Sequence, residues 1–419
     1  MPSPTATLGA AHPVAQGGAN MVLQGVTLIS KAVLLLVLAR WLRPEEVGIF
    51  GLLAATLAFS MFLVGFDFHA FAAREMLSGD LADAPRLFRD QVVFHAAFYV
   101  FALPALWLVF EASILPRSVA LVFYALEVIE HASQELQRLL ITLSRSTAAA
   151  VMMFLRGGVW VWFLFAAFVI WTPSRSVEFT AWSWVVGSTL ALAFGLANLR
   201  DLDWRRAWEL PVDWAWVRAG ARAAIPFLIA SLALRGTQTV DRYALKWYVG
   251  DRAVGVYTVY AAASAAVVGF VEAGIIFVLR PRVVAAYRSG DFGGYGVRMR
   301  AMAIAAITGA VTLCMLAALL ARPVLALLGD PVYLTALPAL WILLGAAVLL
   351  VIVHLVDTML YVRERDRSIA LGAGSAFLTV AILSAVLVPG GGVTGAAAAL
   401  AAGLGAGLFA KTALLMRPA

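Results

Sequence analysis

Four cations stand inside otherwise apolar runs of the sequence: Lys31, Arg156, Arg235 and Arg242. The planar fork of arginine donates two parallel hydrogen bonds to phosphate or carboxylate oxygens, and lysine offers a compact point charge. The chemistry these residues suit is recognition of an anion. Asn20, Gln24, Thr27 and Lys31 follow i, i+4, i+7, i+11 and form one polar stripe on a helix. Arg235, Gln238, Thr239 and Arg242 share a face of a second helix, with Asp241 turned away from it. A third helix gathers Glu127, Glu130, His131, Gln134, Glu135 and Arg138 within about 140° of arc, at 100° per residue. Glu272 and Arg156 stand nearly alone in their segments.

Two roles follow from these types and spacings. Lys31, Arg156, Arg235 and Arg242, with Asn20, Gln24 and Gln238, line a mixed-charge vestibule that attracts an anionic head group. Glu127, Glu130, His131, Asp241 and Glu272 are the groups that could exchange a proton or a sodium ion with a gradient. In the alternative, the charges pair with one another, Lys31 or Arg156 with Glu127 or Glu130, and only hold a helix bundle together. Glu127, His131 and Glu135 have i, i+4, i+8 spacing, which is weak evidence for a metal on a polar helix face. Glu45-Glu46 directly follows Pro44, the pattern of a helix start rather than of metal-assisted sugar transfer. The pairs Asp67 with His69 and His354 with Asp357 fall near segment ends and read as solvated. No Ser-His-Asp constellation, glycine-rich phosphate loop or Walker sequence is present. The chain reads as no enzyme, with no catalytic residue, cofactor or metal expected.

The elements that must carry these residues are transmembrane helices. Of 419 residues, 63% are hydrophobic and 13% charged, and the mean hydropathy is +0.91. A soluble chain has about a quarter charged residues, so a soluble enzyme, a disulfide scaffold and a disordered chain are all excluded. Cys314 is the single cysteine. Twelve segments are long and apolar enough to cross about 30 Å of hydrocarbon. They run near Gly17–Ala39, Gly48–Phe66, Gln91–Phe110, Ser118–Leu139, Thr147–Trp171, Val177–Ala197, Ala223–Leu245, Val254–Leu279, Ala301–Ala321, Ala336–Val356, Ser368–Val388 and Val393–Ala410. The fourth is the most polar, and dropping it would reverse every later span. The outer loops then hold seven Lys or Arg in all, whereas loops 198–222 and 280–300 on the other side hold five arginines each. That bias places both termini in the cytoplasm of a multi-pass inner-membrane protein. The net charge of +7 is thereby a topology signal, not a sign of a nucleic-acid partner. The first sixteen residues lack Lys and Arg, so the first long helix is expected to act as the insertion signal. Trp204, Trp208, Trp214 and Trp216 with neighbouring arginines read as interfacial anchors.

The chain also repeats itself. Arg40-Trp41 and Val47-Gly48-Ile49-Phe50 return as Lys246-Trp247 and Val254-Gly255-Val256-Tyr257, and Ser78-Gly79-Asp80 returns as Ser289-Gly290-Asp291. Six spans per half give both halves the same orientation. The expected fold is an all-α integral membrane protein of about twelve helices. Two six-helix lobes, 1–199 and 223–419, are joined by a cytoplasmic linker, 200–222, and related by a pseudo-two-fold along the membrane normal. A central cavity lies between them. Gly395, Ala399, Gly403 and Gly407, at four-residue spacing, are expected to let the last span pack tightly within its lobe. Prolines 104, 226 and 338 could bend spans 3, 7 and 10.

The run from Ala39 to Gly51, with Gly65 and Arg74, resembles the first hairpin of the polysaccharide (O-antigen) flippases. Pro226, Asp241-Arg242, Val254-Gly255-Val256-Tyr257 and Pro281 are similar to the corresponding part of the second half. That family belongs to the multidrug/oligosaccharidyl-lipid/polysaccharide exporter superfamily. The resemblance implies translocation of an undecaprenyl-pyrophosphate-linked oligosaccharide between leaflets, for O-antigen or exopolysaccharide synthesis. The implied partners are that polyprenyl pyrophosphate-linked glycan, membrane lipids, a proton or sodium ion, and polysaccharide polymerase or assembly proteins. A multidrug/toxin antiporter of the same fold is the alternative within transport, although cationic drugs favour an acidic cavity. A membrane polysaccharide polymerase or ligase is the alternative outside it, against which the short outer loops count.

Overall fold

The structure, a computed structural model, describes residues 13–416; residues 1–12, where part of the insertion-signal expectation falls, lie outside it. All described regular elements are helices. Ten are long and apolar enough to cross a membrane. Two further observations raise the number of spans to the expected twelve. Ala120–Thr142 carries the acidic stripe that lowers its hydropathy, yet its 23 residues extend about 34 Å at 1.5 Å each. Asp366–Met416 has 51 residues, about 76 Å of helix, but folds back on itself at Gly392, where φ is 50° and ψ −130°. Gly407 then lies on Gly372 and Ala376, Gly403 on Val380, and Gly395 on the Leu387 carbonyl. The four-residue glycine spacing is the seam of this antiparallel hairpin, as its small residues suggest.

In chain order, spans 1 to 4 are Pro13–Trp41, Pro44–Gly65, Ala84–Leu106 and Ala120–Thr142. Span 5 runs as Ser146–Phe154, a π-helical turn Leu155–Val159, and Trp160–Ile170. Span 6 is Val177–Ala197. Span 7 is broken: Trp214–Thr237 ends, and Val240–Tyr248 continues after Gln238 and Thr239. Span 8 is Asp251–Val271, a second π-helical turn Glu272–Ile276, and Phe277–Arg288. Span 9 is Phe292–Leu327 and span 10 Leu337–Val362; spans 11 and 12 are the arms of the final hairpin. Pro104 and Pro226 sit inside helices, whereas Pro338 lies in the first turn of span 10, where a missing N–H costs nothing.

The two copies of the repeat pack against each other. A Cβ on Gly48 would stand 2.1 Å from the Asp251 carbonyl oxygen, and one on Gly255 would stand 1.9 Å from that of Pro44. Residues 44 and 251, like 48 and 255, are equivalent in the repeat. A Cβ on Gly51 would stand 2.1 Å from Oγ1 of Thr258, its own counterpart. Each half thus presents the same surface to the other, and the pseudo-two-fold axis passes between spans 2 and 8. Beside this seam Arg252 reaches Glu45 and Asp330, both at 3.3 Å. Pro44-Glu45-Glu46 starts span 2 as expected, with the Arg43 amide donating to Glu46 Oε2 at 3.1 Å.

At the opposite end the linker is strapped to span 3. Arg89 donates to the Leu210 and Pro211 carbonyls, and Asp90 accepts from the Asp213 amide. The four tryptophans divide. Trp204 and Trp216 pack internally, on Phe88 and on Phe68 and Phe71, while Trp208 and Trp214 are exposed as interfacial anchors would be. Arg145 donates both terminal nitrogens to the Asp201 carboxylate, and this hydrogen bonding holds Asp201 below the usual carboxylate range.

Gly48→Ala and Gly255→Ala should each cost about 1–3 kcal/mol, because backbone must move to admit the methyl. Gly25→Ala, which meets open space, should not lower the melting temperature in detergent. Equal melting temperatures for all three would refute the seam. The lowered Asp201 pKa contributes stability that is complete above its unfolded value of about 3.9 and lost as pH falls through the folded one. Arg145→Ala should therefore melt lower than the parent at pH 7, with the gap closing below about pH 4.

Candidate functional site

Span 4 turns its acidic stripe inward, and each carboxylate meets a designated neighbour. Glu127, fully buried, accepts from Ser60 Oγ at 2.6 Å through one oxygen, and its other oxygen has no partner. Glu130 accepts from Trp184 Nε1 at 2.6 Å and Ser188 Oγ at 2.5 Å, and lies 3.6 Å from Arg156 Nε. Glu135 accepts from Gln91 Nε2 at 2.5 Å and from Arg138, and lies 3.7 Å from His131 Nε2. The Tyr99 hydroxyl meets His131 Nδ1 at 2.6 Å, and His95 lies edge-on to His131 at 4.8 Å. Gly65 makes room for this ring, since a Cβ there would stand 2.6 Å from His131 Nε2. Among the described residues no group of three or more potential ligands is arranged to hold a metal ion. The i, i+4, i+8 spacing is spent on hydrogen bonds.

The cations of span 1 and span 5 come together. The polar stripe of span 1 faces span 5: Asn20 donates to Ser146 Oγ at 3.4 Å, and Thr27 and Lys31 lie against Gly157. Gly157 belongs to the π-helical turn that carries Arg156, so the turn sets Arg156 and Lys31 side by side. Lys31 is exposed and has no ion-pair or hydrogen-bond partner among the described residues. The charges acting on it are those of Arg156, Glu130 and, from the second half of the chain, Arg235. Arg156 Nη1 is buried without an acceptor. Arg235 lies over the face of Phe62 at 5.0 Å, and its Nε is also buried without an acceptor. Arg138 and Glu272 are its charged neighbours. Gln24 is part-buried and Gln238 exposed, and neither side chain has a protein partner among the described residues.

Span 7 does not present the single face that its spacing suggests. The helix stops at Thr237, where Thr237 and Thr239 hydroxyls donate back to the Ala233 and Arg235 carbonyls. Such local bonds compete with the helical ladder. Arg235 therefore points at span 2, while Arg242 stays within its own half, stacked on Tyr257 at 5.6 Å and paired with Asp241 at 3.8 Å. Asp241 also accepts from the Tyr257 hydroxyl and is buried. A cavity of about 100 Å³ opens beside Gln238, Asp241, Arg242 and Tyr257, enclosed by spans 8, 10 and 12.

Two further pairs differ from the solvated reading. Asp67 is buried, accepts from Ser231 Oγ of span 7 at 2.7 Å and faces His69 at 3.2 Å. His354 pairs with Glu272 at 2.9 Å, and Asp357 with the buried Lys411 at 2.7 Å, not with each other. Apart from His69, the partners are remote in sequence, which spacing along one helix cannot reveal. Phe62, Ser60, Trp184 and Ser188 surround these charges and were not singled out by the sequence, whereas Arg138 belongs to the stripe already read on span 4. One sequence signal was available: Gly157-Gly158 in mid-span beside Arg156, and Gly274 beside Glu272, mark the two π-helical turns, a feature common at functional sites.

Residues 14–286 match the family described as polysaccharide biosynthesis protein. No curated protein matches the chain. Among solved structures the chain is similar to the lipid II flippase MurJ in an inward closed conformation, with TM-score 0.73 and 11% identity, over 96% of this chain and 88% of that one. It is similar also to a multidrug resistance MATE family transporter of the MOP superfamily. The inward-facing form gives TM-score 0.67 at 14% identity, covering 98% of this chain and 96% of that one. The outward-facing form gives 0.60 at 14% identity, covering 96% and 93%.

Proposed function

The chain belongs to the polysaccharide biosynthesis protein family, and from that we propose that it is a flippase for undecaprenyl-pyrophosphate-linked oligosaccharide repeat units of O-antigen or exopolysaccharide. One observation carries the reading. Lys31, Arg156 and Arg235, drawn from both halves of the chain, hold donors that no protein acceptor meets, while the nearby Glu130, Glu135 and Glu272 are already engaged. An unmet cation at membrane depth costs free energy that a bound anion returns. Two arginine forks and an ammonium suit a pyrophosphate, with its several acceptor oxygens.

In this reading the lobes 1–199 and 223–419 rock about the seam of spans 2 and 8, with 200–222 as their connection, and expose the cations to each leaflet in turn. The protein sits in the bacterial inner membrane with both termini cytoplasmic, as the arginine-rich loops argue. A multidrug antiporter fits less well, since a cationic drug would meet repulsion from Lys31 and Arg235. Coupling to a proton gradient falls to Glu127 rather than to Glu130, His131, Asp241 or Glu272, because Glu127 alone of these acids is buried with a carboxylate oxygen that no donor satisfies.

Lys31→Ala and Arg235→Ala, expressed at normal level, should leave a strain lacking the gene without surface polysaccharide and with lipid-linked repeat units stranded on the inner leaflet. Full restoration by both variants would sink the proposal. In proteoliposomes an imposed proton gradient should speed translocation by the parent and not by Glu127→Gln; equal acceleration would remove Glu127 from the coupling role.

A further inference from the structure

We propose that Glu130 is a positioning residue, one that holds the Arg156 guanidinium at its Nε edge so that both terminal nitrogens, next to Lys31, stay available to a phosphate group. The inference rests on the anion-binding reading above and assigns Glu130 a role apart from ion coupling.

Glu130 is held at three points. Oε1 accepts from Trp184 Nε1 and Ser188 Oγ, and Oε2 lies 3.6 Å from Arg156 Nε. With only 4% of its surface exposed, it has no freedom to follow a ligand. The Trp184 ring stacks on Trp160 at 6.0 Å with 7° between planes, and Trp160 Nε1 donates back to the Arg156 carbonyl at 2.9 Å. Gly187 permits this stack, since a Cβ there would stand 2.5 Å from Trp160 Cδ1. One aromatic pair therefore fixes both the carboxylate and the backbone of the arginine it faces. The π-helical turn contributes the extra residue that swings Arg156 to this edge.

The edge chosen matters. A carboxylate that met an arginine through Nη1 and Nη2 would occupy the fork and leave nothing for a ligand. Here the acid stands beside Nε, Nη1 is buried and empty, and Nη2 has no protein partner among the described residues. Lys31 is next to the same turn, because a Cβ on Gly157 would be 3.5 Å from Lys31 Cε. The acid lowers the positive field, so its presence beside an anion site makes sense for orientation and not for attraction.

This gives a test of sign. On charge alone, Glu130→Gln removes a negative charge and should tighten anion binding; if orientation dominates, it should weaken it. The amide oxygen can still accept from Trp184 and Ser188, so the packing survives. Binding of undecaprenyl pyrophosphate to the purified full-length protein in detergent would be followed by thermophoresis. The expected result is about tenfold weaker binding for Arg156→Ala and for Glu130→Gln. No further loss is expected when Glu130→Gln is added to Arg156→Ala, the non-additivity of coupled residues. Ser188→Ala, which keeps every charge, should weaken binding about threefold and stands in should Glu130→Gln fail to fold. Weaker binding in Arg156→Ala with unchanged or tighter binding in Glu130→Gln, or with unchanged binding in Ser188→Ala, would overturn the positioning role and leave the anion site standing. Unchanged binding in Arg156→Ala would overturn both.

Discussion

The close approach of spans 2 and 8 is the constraint on which the remaining geometry depends. Gly48 and Gly255 bring each backbone onto the carbonyl of the other helix, and Gly51 admits Thr258. Because the contact is reciprocal, it places the halves about an axis between them. Span 1 is thereby packed on span 8, and span 7 on span 2. The charge of Arg235 then acts on Lys31 from the other half, although some 200 residues separate them. Contact through backbone also lets two helices slide or part without unlocking interdigitated side chains, which suits a surface meant to open.

Charge within this fold follows an asymmetry. Carboxylates accept from uncharged side-chain donors of neighbouring spans, Ser60, Gln91, Trp184, Ser188 and Tyr257, with one Glu127 oxygen left unmet. Three cations are met less completely, with Lys31 open, Arg235 resting on an aromatic face and Arg156 touched at one edge. In a low-dielectric setting a satisfied acid is structural, and an incompletely satisfied cation is a standing attraction for an anion. The pairing reading therefore holds for most members of the set, and the vestibule reading rests on the few cations whose donors the protein leaves unmet. Arg242, Asp241 and Lys411 belong to the first group, held within their own half.

Much of the architecture was legible from spacing and composition. Hydropathy and the loop arginines together marked twelve spans, including the polar Ser118–Leu139, which the structure forms as Ala120–Thr142. The repeat at Val47-Gly48 and Val254-Gly255 was visible as letters, and its meaning as a contact appeared only when both copies met. The site was legible in part. Residues carried on one helix, such as Thr27 with Lys31, which both lie against Gly157, share a side because period determines it, whereas the neighbours Glu130 and His131 turn to different spans. Arg235 and Arg242 were grouped wrongly because the helix breaks between them, at threonines whose hydroxyls bond to their own backbone.

The sequence by itself determined that this is a membrane protein of two repeated six-span halves, since the lengths of its apolar runs and the recurrence of its motifs are properties of composition and period. Tertiary structure decided which charges are free. His354 pairs with Glu272 and not Asp357, Asp67 reaches Ser231, and Glu130 takes Trp184 and Ser188 as well as one edge of Arg156. Those choices depend on distances of a few ångströms between helices far apart in the chain. Periodicity orients a side chain about its own axis but carries no information on what stands across from it.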